Sequence, residues 1–216
     1  MQQTKITGII GPKGSGKTYL SSRRFGLEKN AVFFDVAEDD SVLPFATAII
    51  EAPRDAYEVR RAVMRDWNDK GENRIVWRSQ NLRIGKKGLC TYYDLDALIK
   101  AICEIGSLTF YVDEAHQVCN AWTSTPEFIR LIRLGRHWNV NIVWVSQRFA
   151  TVHRELTANT DEFVFFRLWE PLDLDAVKNR CGVATANRVR ELHRIKTGSD
   201  GKVIPGEHLV FNVLEQ

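Results

Sequence analysis

The chain has no apolar stretch long enough to cross a bilayer and no C-x-x-C pair. Its four cysteines, Cys90, Cys103, Cys119 and Cys181, lie far apart and read as small hydrophobes rather than as metal ligands or a disulfide framework. No internal repeat, low-complexity tract or linker interrupts it, which argues against an array of small modules. No secretory leader is expected, because a strand-like run begins almost at the first residue, so a reducing, nucleotide-containing cytoplasm is the expected setting. Nor does one sign of charge dominate: 30 basic against 27 acidic residues leave a net charge of +3. Such a balance permits a nucleic-acid partner without demanding one, since a local patch matters more than the total.

What is present is enough material for a core. The 216 residues are 44% hydrophobic and 26% charged, which fits one large domain and excludes extensive disorder. Residues 1–216 are read as a single domain with a helical and strand extension from about residue 171.

The chain is organised around Gly11-Pro12-Lys13-Gly14-Ser15-Gly16-Lys17-Thr18, a G-x-x-x-x-G-K-T motif. An apolar strand precedes it over Lys5 to Ile10, and Lys17 to Phe25 can form a helix after it, the context of a phosphate-binding P-loop. Glycines let backbone N–H groups close around a phosphate where side chains would obstruct the turn. Lys17 is expected at the terminal phosphates and the Thr18 hydroxyl on the accompanying Mg2+.

A second motif supports the first. Leu108 to Val112 reads as a buried strand that delivers Asp113 and Glu114 at its carboxyl end. Asp113 is expected to hold magnesium through water and Glu114 to polarise the attacking water, the two diverging because successive strand side chains point to opposite faces. A third buried strand, Asn141 to Ser146, would bring Gln147 beside the P-loop to sense the terminal phosphate and orient water. His116 is read as a supporting histidine, since this chemistry already has its carboxylate.

Between these motifs, Ala31 to Asp35 and Arg74 to Arg78 read as strands, and the acidic exit Glu38-Asp39-Asp40 as a solvated loop. Asp55 to Asn68 reads as an amphipathic helix with Arg60, Arg61 and Arg65 on its polar face. The basic, glycine-containing segment Gln80 to Gly88 is the leading candidate for contact with a nucleic-acid backbone, with a solvated hairpin as its plain alternative. Thr91 is expected to cap a helix carrying Leu95, Leu98, Ile99 and Ile102, and Thr125-Pro126 to start another. Glu162 to Arg167 reads as a core strand, Asp173 to Asn179 and Thr185 to His193 as helices, and His208 to Val213 as a terminal strand. Arg136 is the preferred arginine finger for a neighbour's nucleotide, with Arg133 and Arg148 as alternatives.

The motifs Gly11 to Thr18, Tyr111 to His116, Gly135-Arg136-His137 and Val143 to Arg148 together resemble the FtsK/HerA superfamily of P-loop motors. Phe166 to Pro171 adds a resemblance to the genome-packaging ATPases of membrane-containing tailless icosahedral viruses. The resemblance implies an α/β, RecA-like additional-strand ATPase with a central, mostly parallel sheet flanked by helices. It also implies ATP and magnesium as cofactors, with catalytic roles for Lys17, Glu114, Gln147 and Arg136. The implied partners are double-stranded DNA, further copies in a homo-oligomeric ring, usually a hexamer, and a viral capsid vertex or small membrane proteins. Such a motor works in the host cytoplasm during assembly or on the virion at the packaging vertex. Competing readings are a filamentous-phage-like ATPase extruding single-stranded DNA, a small-molecule P-loop kinase and a nucleotide-gated assembly protein.

Overall fold

A computed structural model describes residues 4–53, 55–68, 71–79, 82–84, 90–194, 196–197, 203–204 and 206–213. In chain order the described elements are β1 (Ile6–Ile10), α1 (Lys17–Phe25), β2 (Asn30–Asp35), a 3-10 helix (Asp40–Phe45), β3 (Ala48–Glu51), α2 (Ala56–Asp66) and β4 (Asn73–Arg78). Next come β5 (Leu82–Ile84), β6 (Cys90–Tyr92), α3 (Tyr93–Ile105), β7 (Leu108–Val112), α4 (Ala115–Val118), β8 (Cys119–Asn120), β9 (Thr123–Ser124) and α5 (Pro126–Leu134). A 3-10 turn (Gly135–Trp138) leads to β10 (Val140–Ser146), α6 (Arg154–Ala158), β11 (Glu162–Phe166), α7 (Pro171–Cys181), α8 (Val183–Glu191), β12 (Lys196–Thr197), β13 (Val203–Ile204) and β14 (His208–Asn212).

Eight strands form the central sheet in the order β14-β11-β1-β10-β7-β2-β4-β3. Every neighbouring pair is parallel except β11 with β14. Strand β10, which leads into Gln147, therefore lies between the P-loop strand β1 and β7, which leads into Asp113, the placement expected of an additional-strand ATPase.

The inner strands are near-continuous apolar runs because both of their faces are covered. Val32, Phe34, Ile142 and Trp144 face the larger core, under Val59 and Val63 of α2, Leu95 and Leu98 of α3, Phe128 of α5 and Val177 of α7. Their alternates Ala31, Phe33, Val143 and Val145 face a smaller core closed by Phe25 of α1 and Val42 of the 3-10 helix. The expected inward stripe of α3 is buried throughout, but Thr91 belongs to β6 and does not sit at the start of that helix, which opens at Tyr93. Buried Asp94 in its first turn accepts from Trp77 Nε1 at 2.5 Å and from Ser79 Oγ at 2.6 Å, tying α3 to the end of β4. On β1, Gly8 pairs with Trp144, and a Cβ there would stand 2.4 Å from the indole. The large aromatic on β10 is thus accommodated by the missing side chain on β1.

Candidate functional site

Parallel pairing brings the carboxyl ends of β1, β10, β7 and β2 to one edge of the sheet, where ligands of open α/β sheets bind. A cleft of about 650 Å³ opens there, lined by Lys13 to Tyr19, Ala37, Asp39, Ser41, Asp113, Glu114 and Gln147. The motifs read separately from the sequence converge on this cleft.

The P-loop leaves β1 at Gly11, whose N–H donates to Ser146 O at 3.1 Å, so the loop is pinned to the end of β10. Gly16 has φ 99°, a left-handed conformation that an L side chain strains to adopt, and it stands at the N-cap of α1. The helix then points its unpaired first-turn N–H groups and the positive end of its dipole into the cleft. Lys17 is 5% exposed. Burial drives its ammonium pKa down, while Glu114, Asp113 and Asp39 oppose that shift. A phosphate entering the cleft would add to the counter-charge of these carboxylates.

Asp113 follows directly on β7, with its N–H bonded to Phe34 O at 3.1 Å. Its carboxyl pKa is pushed up to about 7, first by burial and then by the charge of Glu114. Buried Oδ1 of Asp113 has no hydrogen-bond partner. An orphaned carboxylate oxygen in the same cleft as the Thr18 hydroxyl is a hard-oxygen set that fits Mg2+, with waters and phosphate oxygens completing its shell. Among the described residues there is no larger metal-ligating cluster.

The expected divergence of Asp113 and Glu114 by strand alternation is corrected. The strand ends at Val112, and Glu114 takes φ 44° and ψ 49° as the residue before α4. That left-handed residue turns its carboxylate into the same cleft as Asp113, so a backbone kink, not the pleat, distinguishes the two. Gln147 Nε2 donates to Glu114 Oε1 at 2.5 Å, and His116 Nδ1 stands 3.3 Å from Glu114 Oε2. Burial lowers the His116 pKa, which favours the neutral ring. The hydrogen-bond contact of His116 Nδ1 is with Ser146 Oγ at 3.4 Å, and buried Glu114 Oε2 has no hydrogen-bond partner of its own.

Other expectations fare unevenly. The acidic exit of β2 is not merely solvated: Asp39 lines the cleft, held by its own N–H to Asp35 Oδ1 and by its side-chain cap on Ser41 N. Asp35 is fully buried with a raised pKa, caused by burial and opposed by the Asp39 N–H and Arg78. Arg136 is exposed at the start of β10, the end remote from the cleft. Arg133 is engaged with Glu155 at 3.0 Å, and Arg148 with Asp173 at 2.7 Å. Of the helix arginines, Arg60 pairs with Glu104 and Arg65 with Asp66. Within the basic segment Gln80 to Gly88, residues 80–81 and 85–88 lie outside the described residues, while Leu82–Ile84 pairs antiparallel with Cys90–Tyr92.

A second hollow of about 230 Å³ adjoins the outer side of the P-loop, between Pro12 to Ser15 and Phe166, Arg167, Trp169, His193 and Arg194. Arg194 lies over the Trp169 ring at 3.7 Å. No local pattern joins these residues. The P-loop motif and the Phe166 to Pro171 segment supply most of its lining, while His193 and Arg194 carried no sequence signal.

No protein-family model matches the chain, and no curated protein matches it. Among solved structures it is similar to the genome packaging NTPase B204 from Sulfolobus turreted icosahedral virus 2 in complex with AMP. That superposition has a TM-score of 0.69 at 16% identity and covers 100% of this chain and 96% of that one. The same NTPase in complex with ATP-gammaS gives a TM-score of 0.68 at 16% identity, covering 100% and 95%. EssC (ATPases 2 and 3) from Geobacillus thermodenitrificans gives 0.52 at 12% identity, covering 98% of this chain and 38% of that one. These likenesses establish the fold as that of a RecA-like P-loop NTPase and bear out, at the level of fold, the resemblance carried by the motifs.

Proposed function

We propose that this chain is an ATPase that drives double-stranded DNA into a preformed capsid as one subunit of a ring-shaped packaging motor. The observation that carries the chemistry is the meeting of Gln147 and Glu114 over the P-loop, because it couples a water-activating carboxylate to the strand beside β1. The near-complete mutual coverage with a viral genome packaging NTPase supports the biological half of the reading.

In this reading the P-loop N–H groups and Lys17 hold the phosphate chain of ATP, while Thr18 and Asp113 hold the magnesium ion. The ion, when bound, neutralises phosphate charge. Glu114 accepts the proton of the attacking water, and Gln147 fixes the carboxylate and reports loss of the terminal phosphate to β10. Arg136 is assigned to the site of the adjacent copy. Capsid-vertex or small membrane proteins complete the machine. Among the described residues no helix is long and apolar enough to cross a membrane.

The test is ATP turnover with and without long double-stranded DNA, for wild type and Glu114→Gln, with single-stranded DNA as competitor. Duplex-stimulated turnover that the substitution abolishes supports the reading. Stimulation by single strands alone moves the assignment to the extrusion ATPases. Tight ATP binding with no turnover under assembly conditions leaves a nucleotide-gated assembly protein.

A further inference from the structure

We infer that the β8–β9 hairpin is the element that grips DNA, with Trp122 at its tip as the contacting side chain. This rests on the reading above, that DNA is the cargo, and names the part of the chain that touches it.

Trp122 is 85% exposed. It is nevertheless rigidly presented: Cys119 and Asn120 pair antiparallel with Ser124 and Thr123, and Asn120 Oδ1 accepts from both Trp122 N and Thr123 N at 3.0 Å. A lone exposed aromatic is common on protein surfaces; Trp122 is singled out by where it stands, at the tip of a hairpin braced by its own hydrogen bonds.

The hairpin is bonded to both loops that carry the hydrolytic residues. On one side it continues from Glu114 through the single turn of α4, whose Val118 is buried and whose successor Cys119 is fully buried. On the other side Ala121 N donates to Thr151 O at 2.9 Å, His153 N donates to Cys119 O at 3.0 Å, and Asn120 bridges to Val152. Thr151 Oγ1 in turn donates to Arg148 O at 3.3 Å, one residue beyond Gln147. A change in the Glu114–Gln147 contact on loss of the terminal phosphate therefore has a hydrogen-bonded path to both supports of the hairpin. Elements with two discrete arrangements, biased by a bound phosphate, are the usual means by which hydrolysis becomes motion.

The chemistry of the tip favours nucleic acid over protein. Trp122 is flanked by Asn120, Ala121, Thr123 and Ser124, a small and mostly polar setting, whereas the core of a protein interface is a contiguous apolar patch. The exposed cation Arg154 follows His153, whose N–H anchors the hairpin base, so a positive charge for phosphates stands on the segment that holds the hairpin. On a duplex, whose base faces are stacked away, an indole can lie against the sugars and groove walls as an apolar wedge that reads no base edge, which a motor moving along any DNA requires.

The experiment measures binding of a long blunt duplex by the full chain and by its Trp122→Ala and Trp122→Phe variants, together with their thermal unfolding midpoints and oligomer mass. The expected result is duplex affinity about tenfold weaker for Trp122→Ala, the loss of one buried aromatic anchor, and largely restored by Trp122→Phe. Duplex should also quench wild-type tryptophan emission more than that of Trp122→Phe, which reports contact at this ring. Wild-type affinity and equal quenching in the variants overturn the hairpin assignment while the DNA-motor reading stands. A loss of oligomer mass in Trp122→Ala makes the ring a subunit contact and likewise overturns it. A wild-type chain that neither binds nor is quenched by duplex removes the DNA reading together with the hairpin.

Discussion

Gln147 and Glu114, separated in sequence by α4, the β8–β9 hairpin, α5 and β10, meet at 2.5 Å through an amide-to-carboxylate hydrogen bond at the edge of the sheet. The bond fixes Glu114 Oε1 and commits the amide of Gln147 to the carboxylate. Glu114→Gln keeps the shape and removes the base, so ATP turnover should fall by about a hundredfold to ten-thousandfold with nucleotide affinity nearly unchanged. Gln147→Ala leaves the base in place but unguided, and a loss of up to about a hundredfold is expected. Single-turnover hydrolysis alongside equilibrium nucleotide binding separates the two. An affinity loss that accounts for either drop would assign the pair to binding instead of chemistry.

In the cation-free chain, Asp113 should make stability fall as pH rises. Its folded-state pKa is about 7, against an ordinary value of 3.8. Between those values the folded chain keeps a proton that the unfolded chain has released, so stability is lost through this window and levels off above it. The loss is bounded at about 4 kcal/mol. Thermal unfolding at about pH 5 and about pH 8 in chelator should show the slope, and Asp113→Asn should flatten it. Magnesium with nucleotide should also flatten it, by giving the carboxylate a counter-charge. A slope unchanged in Asp113→Asn would place the titration elsewhere.

Gly8→Ala tests the packing of β1 on β10. The added methyl would meet Trp144 Cζ2 at 2.4 Å, and the indole is held by its Nε1 bond to Thr160 Oγ1 at 2.9 Å. Overpacking of this kind costs about 1–3 kcal/mol. Urea unfolding should show that loss, and Trp144→Leu combined with Gly8→Ala should be less destabilised than the two single changes added together. Simple additivity would mean that the glycine is needed for some other reason.

The parts of this molecule legible in the sequence are those fixed by short-range chemistry. Helix α1 runs over Lys17 to Phe25 as expected, because the P-loop sets its start and an amphipathic run sets its course. Strands β2, β7, β10 and β11 were equally visible as apolar runs buried on both faces. Features set by contacts distant in sequence were hidden. Asp39 reaches the cleft only because Asp35 and Ser41 fold the exit of β2 back over it. The turn at Glu114 is a backbone choice that no side-chain pattern announces, and the strands flanking Trp122 are too short to show any periodicity. Arg194 and Trp169 meet only once α7 and α8 have packed.

Arg136 yields a prediction that only an assembly can satisfy. Strand β10 has 7 residues, so Arg136 before its start and Gln147 after its end stand on the order of 23 Å apart or more. An arginine side chain does not bridge that distance, and Arg136 cannot serve the cleft of its own chain. If it completes a neighbour's site, Arg136→Ala alone should be nearly inactive while still binding ATP, and Lys17→Ala alone should be inactive for want of a phosphate grip. Mixed rings would then contain sites in which an intact P-loop faces an intact Arg136. In an equal mixture such sites form at roughly a quarter of the interfaces, so turnover should rise well above that of either variant. Arg133, held by Glu155, should give no such complementation. A mixture no more active than its parts would remove Arg136 from the reaction, and recovery with Arg133→Ala in its place would transfer the role to that residue.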